Sequence, residues 1–225
     1  MSTMSKPTSQ TGKRVSLRGQ AYDTLKQRIL RCELKPGEAV TVAALASDLG
    51  LGRTPVIQAV DRLMLDGLVE VMPRKGVVVS AVSLEDLVEI IEVRLLNECR
   101  AARWASERIT DKQIKALREN LKTMKKTAAS RDVEQLISLD SAFHEIISHA
   151  TGNTILAELL GNLHDRSLRF WSLSLQVPEH NDRVVEQHSA IVEALANHDA
   201  DAAEEAVRNH IAAFQSNIVD RVMRR

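Results

Sequence analysis

Three histidines and one aspartate stand where the sequence should be apolar, and together they have the chemistry of a metal site. On the helical pattern of residues 131–150 the apolar stripe runs Val133, Leu136, Ile137, Phe143 and Ile147. Asp140 and His144 lie inside that stripe one turn apart, so both side chains reach the same point. His188 interrupts the stripe Val184, Val185, Ile191, Val192, Leu195, and His210 stands in the middle of Ala203, Ala206, Val207, Phe214, Ile218. A single core histidine is more often hydrogen-bonded in place than a ligand. Four ionisable groups on three apolar faces, each costly to bury alone, point instead to a shared divalent cation. Three imidazoles and a carboxylate suit Zn²⁺, Ni²⁺ or Mn²⁺, with zinc–ligand bonds of about 2.0 to 2.2 Å. His149, His164, His180 and His198 fall on polar faces or in loops, where a solvated role is expected.

Arg94 and Glu98 share the inward face of residues 83–108 with Leu87, Ile90, Ile91, Ala101 and Ala105. Two readings stand side by side: an internal (i, i+4) ion pair, or an arginine fork for a carboxylate ligand held near the metal. Arg166, on the stripe of Leu159, Leu163 and Phe170, is a second candidate of the same kind. Such a site with an open position could also activate water, which would make the chain a metal-dependent enzyme fused to another module. No further carboxylate besides Glu98 falls on those faces to serve as acid or base, so a binding role is favoured. A structural metal with no effector is the third alternative.

The elements that must carry these residues are helices. The chain of 225 residues is 44% hydrophobic but only 3% aromatic, a balance that favours Ala- and Leu-rich helical packing. From Ser83 onward helices are expected at 83–108, 111–129, 131–150, 153–175, 183–197 and 199–222, with Gly152-Asn153 and Val177-Pro178 at two joints. Ser83 with Asp86 and Thr110 with Gln113 have the spacing of capping boxes. Residues 82–225 therefore read as an all-α helical bundle.

Residues 14–81 read differently. After a helix at Leu17–Arg31, Thr41 caps a short helix carrying Ala44, Leu45 and Leu49 that stops at Gly50. A second helix opens at Arg53-Thr54-Pro55, buries Val56, Val60, Leu63 and Met64, and closes at Gly67. Leu68–Met72 and Gly76–Val82 form a two-stranded ribbon whose turn, Pro73-Arg74-Lys75-Gly76, carries two cations. This is a winged helix-turn-helix, which sets its second helix in a DNA major groove while basic groups hold phosphates. Arg74 and Lys75 of the ribbon's turn are the basic groups placed to hold phosphates. Charge agrees: residues 1–80 hold 12 basic and 7 acidic groups, leaving 18 and 23 of the chain's 30 of each to the rest. Residues 1–13 have the composition of a disordered tail. No apolar run approaches a membrane span, and Cys32 and Cys99, each within an expected helix, read as the reduced thiols of a cytoplasmic protein.

Taken together, these pieces resemble the GntR family of transcriptional regulators. The likeness is to the FadR subfamily, whose effector domain is called FCD, in a compact form similar to its VanR-type members. It rests on Leu34-Lys35-Pro36-Gly37, Arg53-Thr54-Pro55-Val56 and Asp66-Gly67-Leu68-Val69. In the second half it rests on Arg94 with Glu98, Asp140-Ser141-Ala142-Phe143-His144, Gly152-Asn153, His188 and His210-Ile211. The resemblance implies a homodimer on a palindromic operator, with Arg53, Thr54, Pro55 and Gln58 of the second reader helix and Arg74, Lys75 and Gly76 of the wing as candidate DNA contacts. It also implies a metal inside the bundle and a small organic acid that completes its coordination. One departure stands out: the family usually has Arg-Glu after Pro-Val, where this chain has Ile57-Gln58. The capping serine common before the arginine is Gly52 here, a weaker N-cap.

Overall fold

Helix starts are set by side chains that satisfy otherwise unpaired amides. Ser16 accepts from the Gly19 amide, Thr41 from Ala44, and Ser83 and Asp86 complete a reciprocal capping box. The computed structural model describes residues 16–130, 132–174 and 179–223. The expected 1–13 tail and the Val177-Pro178 joint lie outside the described residues, as does the side chain of His180.

The N-terminal unit consists of α1 (Leu17–Leu30), β1 (Ala39–Val40), α2 (Val42–Leu49), α3 (Arg53–Leu65), β2 (Val69–Met72) and β3 (Gly76–Val79). Tyr22, Leu25 and Ile29 of α1 pack against Val56, Ala59, Val60 and Leu63 of α3. Met64, expected in that core, is 44% exposed: it sits one position past the inward stripe. The expected two-stranded ribbon is a three-stranded antiparallel sheet in the order β1-β3-β2. The extra strand has two residues, too few for alternation to show, and it is held by Gly37 N donating to Val79 O and Val79 N donating to Glu38 O. Cys32 lies beyond α1 with a left-handed backbone (φ 56°), not inside a helix as expected.

Among its described residues the regular elements of the C-terminal unit are all helices: α4 (Leu84–Arg108), α5 (Asp111–Ser130), α6 (Val133–Ala150), α7 (Thr154–Ser174), α8 (Glu179–Ala196) and α9 (Ala200–Met223). The α4 helix packs along α9 and also touches α6 and α7, while α8 closes on α9 and α5. No helix among the described residues is long and apolar enough to cross a membrane.

The two units meet through α7, which packs on α6 and α9 on one side and α1 on the other. Arg169 donates from Nη2 to Ser80 O (2.9 Å) and Ala81 O (2.7 Å), and Ser172 donates to Leu30 O at 2.6 Å. Lys26 and Asp165 pair at 2.5 Å, and Asn162 donates to Asp66 O at 3.1 Å.

Candidate functional site

Four helices of the bundle aim ionisable side chains at one interior point. From α6 come Asp140 and His144, from α7 His164, from α8 His188 and from α9 His210. His188 is fully buried and Asp140, His164 and His210 nearly so, while His144 is half-buried. The Asp140 carboxylate lies among three of the imidazoles: Oδ1 is 3.5 Å from His188 Nε2 and 4.0 Å from His144 Nε2, and Oδ2 is 3.4 Å from His164 Nε2. The donor atoms of His144, His188 and His210 lie within 4.8 Å of one another, and so do those of Asp140, His144 and His164. Donors bound about 2.1 Å from a tetrahedral zinc stand about 3.4 Å apart. Each of these two sets, which share His144, therefore stands within about 1.4 Å of ligand spacing, while Asp140 and His210 do not fall within one such set.

Electrostatics make the cluster ill at ease without one. Burial pushes the Asp140 carboxyl up to about 7, with Arg94 pulling it down and Glu98 adding to the rise. Burial, reinforced by Arg94, lowers His164 and His188 to about 3. It also holds His144 and His210 well below the usual imidazole value, neighbouring histidines adding to the effect. The imidazoles are thus neutral, the form that donates a lone pair to a metal. Both ring nitrogens of His164 and of His188 are buried without a hydrogen-bond partner. A buried orphan of this kind costs roughly 1–3 kcal/mol. The donor set and its unpaired nitrogens fit a divalent cation.

Around the cluster, Phe143 stacks flat on His188 with ring centroids 4.0 Å apart, and Gln187 Oε1 lies 3.2 Å from His210 Nδ1. Arg94 is buried and donates from Nε to Glu98 Oε1 (2.5 Å) and from Nη2 to Oε2 (3.3 Å), so its fork is spent in part on the internal pair. It nevertheless lines a cavity of about 30 Å³ with Asp140, His144, His164, His210 and Phe214. A far larger cavity, about 730 Å³, opens between Tyr22, Lys26, Arg62 and Asp66 of the first unit and His144 and His164 of the second.

The second arginine expected at an effector, Arg166, does not join this cluster. It is exposed, and its guanidinium lies against Gly67 at the junction of the two units. His164, expected on a polar face, is buried in the cluster instead. Both departures have one cause. The α7 helix is covered on two sides, so apolar residues recur around much of its circumference and no single stripe stands out. The buried row is Leu160, Leu163, Ser167, Leu168 and Trp171, in which His164 belongs and Arg166 does not. His149 is exposed, and His198 Nδ1 lies 2.6 Å from Ser106 O.

On the other unit, Arg53, Thr54 and Gln58 are exposed at the start of α3, with Pro55 half-buried. Gly52 provides no side-chain cap, so the first amides of that helix remain open to a phosphate. Arg74 and Lys75 are exposed on the wing turn, where Arg74 takes a left-handed conformation (φ 68°). Gly76 has a structural reason of its own: with φ at 84°, a Cβ there would lie 2.8 Å from Val40 O.

Residues 17–79 match the bacterial regulatory proteins of the gntR family, and residues 89–213 match the FCD domain. The chain belongs to the GntR family. It is 30% identical to an HTH-type transcriptional regulator from an unstable DNA locus of Streptomyces ambofaciens, over 93% of this chain and 88% of that one. It is 25% identical to the HTH-type transcriptional repressor RspR of Escherichia coli K12, over 88% and 87% of the two chains. The solved structure of E. coli McbR/YncC superposes with a TM-score of 0.85 at 25% identity, covering 92% of this chain and 99% of that one. As a GntR-family protein with an FCD domain, the chain is a transcriptional regulator with a DNA-binding winged helix-turn-helix and an effector-binding helical domain.

Proposed function

We propose that this regulator senses a small organic acid at a divalent metal held by Asp140, His144, His188 and His210, and that it does so as a homodimer on a palindromic operator. The observation that carries the reading is the convergence of the His144, His188 and His210 donors in the bundle interior, with the Asp140 carboxylate 3.5 Å from His188 and both nitrogens of His188 buried without a partner. When bound, the ion supplies Lewis acidity and open positions for a carboxylate ligand.

The chain's own residues supply the rest. Asp140 offers the negative charge that offsets part of a dication's own. Phe143 and Gln187 hold the His188 and His210 rings in orientation. Arg94 keeps a positive field over the pocket, suited to an anionic ligand, while Glu98 fixes its orientation. The 30 Å³ cavity beside Arg94 holds about two waters, so side chains such as Trp171 and Gln187 must move to admit an acid. That movement is a differential contact of the kind a ligand needs to shift one arrangement toward another.

Dimerisation is supported by apolar residues left in the open on α4 and α7, with Leu96 76% and Ile155 79% exposed. A two-fold dimer places two readers on two half-sites, which is why a palindrome is the expected operator. Native mass spectrometry of the full chain tests all three parts at once. The expected result is a dimer mass, one metal per chain and a shift on adding small carboxylic acids. A monomer, or a chain purified with zinc, nickel or manganese available that holds none, counts against the reading.

A further inference from the structure

We propose that His164 is a fifth protein donor of this metal centre, and that through it the centre's occupancy is felt by the DNA reader. The inference rests on the metal-binding reading above and adds to it a residue and a route.

A histidine kept in a core for packing alone normally has at least one ring nitrogen satisfied. His164 has neither, although its side chain is only 9% exposed. Its Nε2 lies 3.4 Å from Asp140 Oδ2, its ring centroid is 4.5 Å from that of His144, and the three together form a donor set in their own right. Two orphaned nitrogens at the mouth of a metal-type cluster are what a ligand looks like before its ion arrives.

Position along α7 supplies the second half of the argument. His164 and His144 line both the small cavity inside the bundle and the 730 Å³ cavity facing the reader. The neighbours of His164 on the same helix hold the reader directly: Asn162 on Asp66 O, Asp165 on Lys26, Arg169 on Ser80 O and Ala81 O, and Ser172 on Leu30 O. One rigid helix thus carries a donor of the centre and the fastenings of the DNA-binding unit within eleven residues, 162–172. Drawing His164 onto a cation shifts or stiffens α7, and the reader is bonded to α7. Reciprocity then requires that operator binding change the metal's affinity by the same factor.

The test uses the full-length protein loaded with Cu²⁺, with coordinated imidazoles counted by electron spin-echo envelope modulation. His164→Gln is expected to show one imidazole fewer than the parent, as is His188→Gln. If the count falls in His188→Gln but not in His164→Gln, His164 is no donor and the inference fails while the centre stands. If neither variant loses an imidazole, or Cu²⁺ is not held, the underlying metal reading fails and takes the inference with it. Should His164→Gln not fold, His164→Leu fills the same space without a donor. The route is read by amide hydrogen exchange: metal is expected to slow exchange in residues 162–172 and in their reader contacts around Leu30 and Asp66. Slowing that persists undiminished in the His164 variant overturns the coupling.

Discussion

The Phe143 ring lies parallel to the His188 imidazole, centroids 4.0 Å apart and planes within 8°. The two residues come from different helices, α6 and α8, and Phe143 is fully buried. The stack fixes the ring plane of His188, and with it the direction of its lone pair, because no hydrogen bond to either ring nitrogen does so. Outer partners that orient a metal ligand typically matter by about 10- to 100-fold in affinity. Phe143→Leu keeps an apolar filler but loses the flat face. Its zinc affinity, measured by chelator competition, is expected to fall about tenfold, with a stability loss of about 1 kcal/mol. An unchanged affinity would show that packing elsewhere sets the ring.

The proposed centre is tested further by removing two of its donors at once. His188→Ala with His210→Ala leaves Asp140, His144 and His164, a set with one buried acid and no imidazole from α8 or α9. Elemental analysis of this double variant is expected to find less than stoichiometric metal after dialysis against a weak chelator. Equal metal content in parent and variant would place the ion elsewhere.

The junction between the two units gives an independent prediction. Arg169 is buried, and one of its terminal nitrogens serves two backbone carbonyls of the connecting segment. Arg169→Ala strands the Ser80 and Ala81 carbonyls and leaves a gap beside α7. A loss of roughly 2–4 kcal/mol is expected from lost hydrogen bonds to a charged donor. Thermal unfolding by circular dichroism checks this. A melting temperature within a degree of the parent would mean that water replaces the guanidinium without loss.

Much of this architecture was legible in the sequence because it depends on local signals. The capping pairs Ser83–Asp86 and Thr110–Gln113 both form, and the α2 helix ends on left-handed Gly50 where it should. Asp140 with His144 stood out because α6 has one buried face against a polar one, so an intruding charge is conspicuous. His164 did not, because α7 is covered by both the reader and the bundle and its apolar positions form no single stripe. Strand β1 was missed for a different reason: two residues carry no period, and their pairing with Val77 and Val78 is a long-range fact. The fastening of Lys26 to Asp165 is long-range in the same way, 139 positions apart along the chain.

Two glycines in the reader separate backbone conformation from steric room. Gly37 and Gly76 both have φ near 80°, but a Cβ at Gly37 meets nothing within 4 Å while one at Gly76 meets Val40 O at 2.8 Å. Gly37→Ala is expected to cost about 1 kcal/mol, the strain of a left-handed backbone alone. Gly76→Ala must also push β3 from β1, so a loss of about 2–3 kcal/mol is expected, together with weaker DNA binding through a displaced wing. Denaturant unfolding of the two variants compares them directly, and equal losses would mean the sheet yields without cost.

Recognition should divide between the helix and the wing. Arg74 and Lys75 sit exposed on the turn between β2 and β3, where cations can hold phosphates. Lys75→Ala is expected to weaken binding about equally for every operator variant and to reduce the slope of log affinity against log salt by about 1. Gln58 is exposed one turn into α3, beside Ile57 at 46% exposure, so both can face base edges. A glutamine can pair with the N6 and N7 edge of adenine, and an isoleucine can touch a thymine methyl. Gln58→Ala is therefore expected to cost about 1–3 kcal/mol at one base position of each half-site while leaving the salt slope intact. Binding titrations over a set of single-base operator variants at two salt concentrations distinguish the two behaviours. A uniform loss for Gln58→Ala would make that side chain a backbone contact, and would leave base reading to the arginine and threonine that open the helix.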